Sequence, residues 1–240
     1  MSLSIRVLPS SSPVHIVTLS FDDGFEWSSR RTAEIFERHG LVAELHVVAA
    51  GHRLETDDEW HRRWPKGDFA LWNELKARGH YVMPHGYRHA NKAELPLAEA
   101  KRLIEACLDV FRAELAGFDP SEASFAFPYN RSTPELEAWL AGCVRAFRTR
   151  GDPVMPLPRP GQQRVTCVSF GPERCDEHLS GTIESFLTGG PGWLCYNVHG
   201  LDDEGWGPLG SDTLDRLLGD LVARDVRVLP ITAALDLAVA

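Results

Sequence analysis

Two adjacent carboxylates, Asp22 and Asp23, end an apolar run that starts near Val17 and is followed by Gly24. The run reads as a buried strand, and the glycine permits a sharp turn at its tip. Two acids side by side repel unless a cation or a proton relieves them. His85 and His89 are four residues apart, a spacing that one helical turn would place on a single side. Two imidazoles and one carboxylate form a donor set suited to a divalent metal, with coordination positions left for water. In this reading Asp23 holds the metal and Asp22 stays free as a base. His199 closes another apolar stretch and precedes Gly200, a position suited to acid or base work. Tyr129 follows Pro128 at the end of a third such stretch.

The elements that must position these groups alternate in type. Strands are expected at His15–Ser20, Leu41–Ala50, His80–Met83, Ser124–Phe127, Val144–Arg148, Arg164–Phe170, Trp193–Val198 and Val226–Leu229. Helices fall between them. Ser28 or Ser29 is expected to cap one that ends near His39, and another spans Phe69–Arg78. Pro96 opens a longer helix to Leu115, with a stripe of Leu97, Ala100, Leu103, Ile104, Cys107, Leu108, Phe111 and Leu115. Thr133 caps a fourth, Asp176–Leu187 is a fifth, and Ser211 or Asp212 caps a sixth that ends at Ala223. Such alternation demands a mainly parallel sheet, closed as a barrel or open and doubly wound. In parallel α/β folds, sites form at the carboxyl ends of strands, where Asp22, Asp23, His85, Tyr129 and His199 all fall.

Residues 1–13 are expected to be a loose arm and 14–240 one catalytic domain. Gly51–Asp68 is a long polar loop bearing Trp60, His61 and Trp64, and loops of that length often carry function. Hydrophobic residues make up 43% of the 240, enough for a substantial core. A net charge of −9 without a basic block argues against nucleic acid as a partner. Five cysteines without a Cys-x-x-Cys pair indicate neither a disulfide framework nor a thiolate zinc site. No run reaches membrane-spanning length and no signal-peptide core is seen, so a cytoplasmic location is the default; a secreted form with its leader removed would look the same. The remaining histidines read as structural or solvated, and Asp202, Asp203 and Glu204 as a solvated loop.

The ordered set resembles the polysaccharide deacetylase family, the NodB-homology domain of carbohydrate esterase family 4. Ser20-Phe21-Asp22-Asp23-Gly24, His85 to His89, Phe125-Ala126-Phe127-Pro128-Tyr129 and Tyr196-Asn197-Val198-His199 match its four motifs in order. The resemblance implies a distorted (β/α) barrel of about seven parallel strands. It implies one divalent metal, often zinc, on Asp23, His85 and His89, with Asp22 as general base and His199 as general acid. It further implies a carbohydrate substrate, an oxyanion contact from the Tyr129 backbone N–H, and sugar-stacking faces at Tyr129 and Trp206; Trp64 is expected to pack. The reaction implied is removal of N-acetyl groups, or cleavage of a related non-peptide C–N amide. A carbohydrate-binding protein of little activity and an O-deacetylase are the alternatives. Three positions depart from the family pattern. Gly86 stands where Ser or Thr is usual, Ala126 stands where an arginine steadies the base, and only Asp152 offers itself to orient His199.

Overall fold

The computed structural model describes residues 14–51 and 63–238. The expected arm at 1–13, and Trp60 and His61 of the long loop, lie outside the described residues.

Nine strands occur among the described residues: β1 (His15–Asp23), β2 (Glu44–Val47), β3 (Tyr81–Pro84), β4 (Ser124–Ala126), β5 (Ala146–Arg150), β6 (Val154–Met155), β7 (Arg164–Cys167), β8 (Gly192–Val198) and β9 (Arg227–Val228). One sheet runs β3-β2-β1-β8-β6, with β9 on the lower part of β1, and a second runs β4-β5-β7. A single parallel bridge, Val168 to Tyr196, joins the two sheets. Between β3 and β4 no ladder is formed among the described residues, so the barrel is distorted and not fully closed. All pairings are parallel except β6 with β8. The β6 strand arises inside the Pro-rich stretch 151–161. Its two residues suffice to add a short edge.

Among the described residues seven α-helices pack around the sheets: α1 (Glu26–Arg38), α2 (Phe69–Ala77), α3 (Leu97–Glu114), α4 (Pro134–Leu140), α5 (Cys175–Leu187), α6 (Ser211–Ala223) and α7 (Ile231–Asp236). On α3, Ala100, Leu103, Ile104, Cys107, Leu108 and Phe111 are buried, as the stripe requires, while Leu97 stays exposed at the first turn. Burying each large side chain of that stripe stabilises the fold by about 1.5–3 kcal/mol. Thr133 caps α4 by accepting from the Leu136 N–H at 3.3 Å.

Strand alternation divides the core. Val17, Leu19 and Phe21 of β1 face the helix-covered core, whereas Ile16 belongs to a second cluster with Trp193, Val165 and Cys167. On the same face as Ile16 lie Thr18, Ser20 and Asp22. Parallel register sets Ser20 beside Glu44 and Asn197, and Asp22 beside His46. The lumen is therefore apolar at one end and increasingly polar toward the strand carboxyl ends.

Two expected caps are corrected. Ser28 and Ser29 do not cap α1, since both are buried inside its first turn. The Ser28 N–H donates instead to Glu204 Oε2 at 2.6 Å, and Ser28 Oγ accepts from the Leu201 N–H at 2.9 Å. Ser211 is the first residue of α6, and its N–H and hydroxyl both donate to Asp202, at 2.8 and 2.6 Å. The acidic loop after His199 is thus not simply solvated. Two of its carboxylates satisfy helix N-termini, whose N–H groups have no partner within the helix.

Candidate active site

The strand-end residues converge. Asp22, Asp23, His85, His89, Tyr129, His199 and Trp206 all line one cavity of about 460 Å³. Strict alternation would send the side chains of Asp22 and Asp23 to opposite faces of β1. Asp23 instead adopts φ +75° and Gly24 φ +73°, and this turn brings both carboxylates to the cavity.

His85 and His89 do not share a helical turn. Gly86 has φ +91°, which breaks any helix, and residues 85–91 form a bent loop. The loop nevertheless aims both rings at Asp23. His85 Nε2 lies 3.6 Å and His89 Nε2 3.4 Å from Asp23 Oδ1. His85 Nδ1 donates to the Ala126 carbonyl at 2.9 Å, which leaves the Nε2 lone pair directed at the cavity. Burial holds His85 neutral, down to about 3, against the pull of Asp22. Asp23 ionises well below the ordinary carboxylate range: burial opposes the charge, but His89, Lys66 and His199 outweigh it. Its Oδ1 is buried without a hydrogen bond.

These three residues are the one His/Cys/Asp/Glu group among the described residues whose donor atoms come close enough for an ion. A tetrahedral ion with bonds of about 2.1 Å would space its ligands about 3.4 Å apart. The two Asp23-to-histidine separations fit that spacing, and the orphaned carboxylate oxygen supplies the charge.

Asp22 is steadied by a residue the sequence reading missed. Arg148 on β5 reaches across the lumen and donates to Asp22 Oδ2 through Nη2 and to Ser20 Oγ through Nη1, both at 2.5 Å. Arg148 is the register partner of Ala126 on the adjacent strand. The arginine absent from position 126 is thus supplied one strand over. Asn197 Nδ2 also donates to Asp22 Oδ2 at 3.0 Å, and Asn130 Nδ2 in turn fixes Asn197 Oδ1 at 2.9 Å. Burial works against ionisation of Asp22, yet Arg148, His85 and His46 bring its carboxyl below the usual range. Oδ2 is fully engaged, and buried Oδ1 has no hydrogen bond. A sequence signal existed: an arginine inside an apolar parallel strand must find an anion.

His199 is edge-on to Trp206, with ring centroids 5.1 Å apart. Its Nδ1 is buried and has no hydrogen-bond partner among the described residues. Asp152 does not orient it. That side chain is exposed, and it accepts from the Val154 N–H at 3.0 Å. Tyr129 takes a left-handed conformation, φ 60°, and lays its half-exposed ring against His89 at 4.5 Å. Trp64 packs its ring against the edge of Phe25, as expected of a packing residue.

Several described histidines outside the cavity have side-chain partners. His80 bonds Glu37 and the Ala43 N–H, His39 meets Asp215, and His178 meets the Tyr196 hydroxyl. Buried His46 lies 3.3 Å from Glu44 on the lumen face of β2.

A family profile described as polysaccharide deacetylase matches residues 10–142, more than half of the chain. The chain belongs to the polysaccharide deacetylase family. No curated protein matches it by sequence. Solved structures share the fold of this deacetylase-family chain at low identity. A polysaccharide deacetylase-like protein from Mycobacterium smegmatis superposes with TM-score 0.68 at 14% identity, covering 97% of this chain and 92% of its own. A family 4 acetyl xylan esterase from Clostridium thermocellum, in complex with a cobalt ion, gives 0.63 at 17%, with 92% and 91% covered. The peptidoglycan deacetylase PdaC from Bacillus subtilis gives 0.59 at 15%, with 94% and 91% covered. The architecture is that of the NodB-homology deacetylases.

Proposed function

We propose that this family member is a metal-dependent hydrolase. It removes N-acetyl groups from an amino-sugar oligo- or polysaccharide, or cleaves a related non-peptide C–N amide. The observation that carries the reading is the pairing of two differently built aspartates in one cavity. Asp23 offers a free oxygen to two imidazole nitrogens, His85 Nε2 and His89 Nε2. Asp22 is held ionised by Arg148 with its other oxygen unengaged.

Asp23 Oδ1, His85 Nε2 and His89 Nε2 would hold one divalent ion, with zinc and cobalt both suited to this donor set. When bound, such an ion lowers the pKa of water and polarises an acyl oxygen. Asp22 Oδ1 accepts the proton of the attacking water, and Arg148 and Asn197 keep that carboxylate aimed through Oδ2. The Tyr129 backbone N–H donates to the developing oxyanion. His199 delivers a proton to the departing nitrogen, which would otherwise leave as a poor anion. Tyr129 and Trp206 offer flat faces to the sugar ring.

One observation favours a second reading, O-deacetylation. Among the described residues no carboxylate bonds His199 Nδ1, so none fixes its tautomer and ring orientation. Acid assistance is then weaker, and an ester, whose alkoxide leaves more readily than an amine, depends on it less. The carbohydrate-binding alternative loses one motive, because Arg148 fills the gap that Ala126 opened. Acetate release from N-acetylchitooligosaccharides, peptidoglycan and acetylated xylan, with zinc or cobalt present, tests the proposal. Release is expected from at least one substrate and is abolished by Asp22→Asn and Asp23→Ala. Release that persists in Asp22→Asn would exclude Asp22 as the base.

A further inference from the structure

Lys92 follows the His85–His89 loop in a short 3-10 turn, Lys92–Glu94, and is 1% exposed. A buried ammonium is costly unless it is paired. Among the described residues no carboxylate forms an ion pair with it. Its Nζ donates to the Ala90 carbonyl at 3.5 Å and lies 5.9 Å from the Phe125 ring centre. Burial draws the amine down to about 8. Packing alone would be better served by Met or Leu at such a position, so the amino group calls for another role.

Its location supplies one. A Cβ built on Gly86 would meet Lys92 Nζ at 2.5 Å. The amine therefore occupies the volume that a side chain at position 86 would take. Gly86 directly follows His85, and Ala90 directly follows His89. The amino group thus lies against the start of the loop and binds its end. The strand side of the loop is held separately, by Ala49 N–H to the Gly86 carbonyl at 2.9 Å and Ala50 N–H to the Tyr87 carbonyl at 3.0 Å.

We propose that Lys92 is a positioning residue for the metal-binding loop: its amino group fills the space beside Gly86 and ties Ala90 so that His89 reaches Asp23. The proposal rests on the reading of Asp23, His85 and His89 as metal ligands. It adds a polar support for the loop that comes from outside it, six positions after Gly86.

The test titrates cobalt(II) into the purified full chain, following the visible absorption of the bound ion, for wild type, Lys92→Met and Lys92→Ala. Lys92→Met keeps most of the packing and removes the donor and the charge. Loss of a residue that supports a ligand typically weakens metal affinity by about 10–100-fold. Lys92→Met is expected to lose affinity in that range, as much as Lys92→Ala, and to alter the visible band. The surface variant Lys101→Met is expected to leave both unchanged. Thermal melting of the metal-free proteins separates loss of fold from loss of site. If Lys92→Met does not fold, Lys92→Gln, which retains an N–H donor, decides: it must bind cobalt more tightly than Lys92→Ala, and equal losses in the two would overturn the proposal. Wild-type affinity and spectrum in the folded neutral variant would overturn the proposal. If wild type binds no cobalt, the metal reading fails and this inference falls with it.

Discussion

Replacing Arg148 with methionine should move the acid limb of the pH–rate profile upward. Arg148 and Asp22 are both buried, with Nη2 and Oδ2 2.5 Å apart. Unit charges about 4 Å apart at an effective dielectric of about 20 interact by about 4 kcal/mol. One pH unit corresponds to about 1.36 kcal/mol, so full loss of the pair corresponds to about 3 units. Asn197 donates to Asp22 in both proteins and cancels in the difference, while relaxation and water entry around the variant's carboxyl trim the effect toward about 2. The sign follows from the two opposing influences. Burial raises the Asp22 carboxyl and Arg148 lowers it. Without the guanidinium, burial dominates and the base is protonated at higher pH. The assay is kcat/KM for acetate release from pH 4 to 9, on whichever acetylated saccharide turns over fastest. Arg148→Met is expected to shift the acid limb up by about 2–3 pH units, and Arg148→Lys by less, because it keeps the charge but loses the two-pronged contact with Ser20 and Asp22. Breaking one side of a buried pair also costs about 3–5 kcal/mol of stability, so each variant is first shown to be folded. A folded Arg148→Met enzyme with an unmoved acid limb would refute Asp22 as the titrating base held by Arg148.

Other perturbations test the surrounding structure. Glu44 is buried and accepts from Ser124 Oγ at 2.9 Å and from the Ile231 N–H at 3.0 Å, so Glu44→Ala strands both donors. At about 1–3 kcal/mol for each unsatisfied group, urea unfolding should show a loss of about 2–6 kcal/mol. Glu204→Ala removes the cap on α1 and should cost about 1–2 kcal/mol; because the same loop carries Trp206, KM should rise more than kcat falls. His199→Ala should lower amide turnover by about 10²–10⁴-fold and ester turnover distinctly less, and equal losses on both would remove proton delivery to nitrogen from its role. The Asp22–Arg148 pair stabilises the fold above the ordinary carboxylate pKa and is lost as pH falls through the depressed value, so the stability gap between wild type and Arg148→Met in urea unfolding should be largest near neutral pH and narrow as the pH falls below about 4.

The site was legible because it is chain-local. Each motif lies at one strand end, and parallel topology gathers strand ends without needing any long-range pairing to be known. The supports were less legible because they are made across the lumen. Arg148 sits 126 positions from Asp22 and Glu204 sits 176 from Ser28, and neither distance leaves a pattern in sequence. Local cap rules favoured Ser28 for α1, yet a remote carboxylate satisfied the N–H groups. The four-residue histidine spacing suggested a helical turn, but the left-handed Gly86 permits a bent loop with the same convergence on Asp23. Two departures from the family pattern share an explanation. Ala126 and Gly86 each lack a polar group, and each faces a cation supplied from elsewhere, Arg148 and Lys92.

Anomalous diffraction from crystals grown with cobalt, collected at the metal edge, tests the central claim most directly. The account predicts one strong peak within bonding distance of Asp23 Oδ1, His85 Nε2 and His89 Nε2, with Asp22 still held by Arg148 beside it. No peak at that position, or a metal bound through Asp22 in place of Asp23, would contradict the division of labour between the two aspartates.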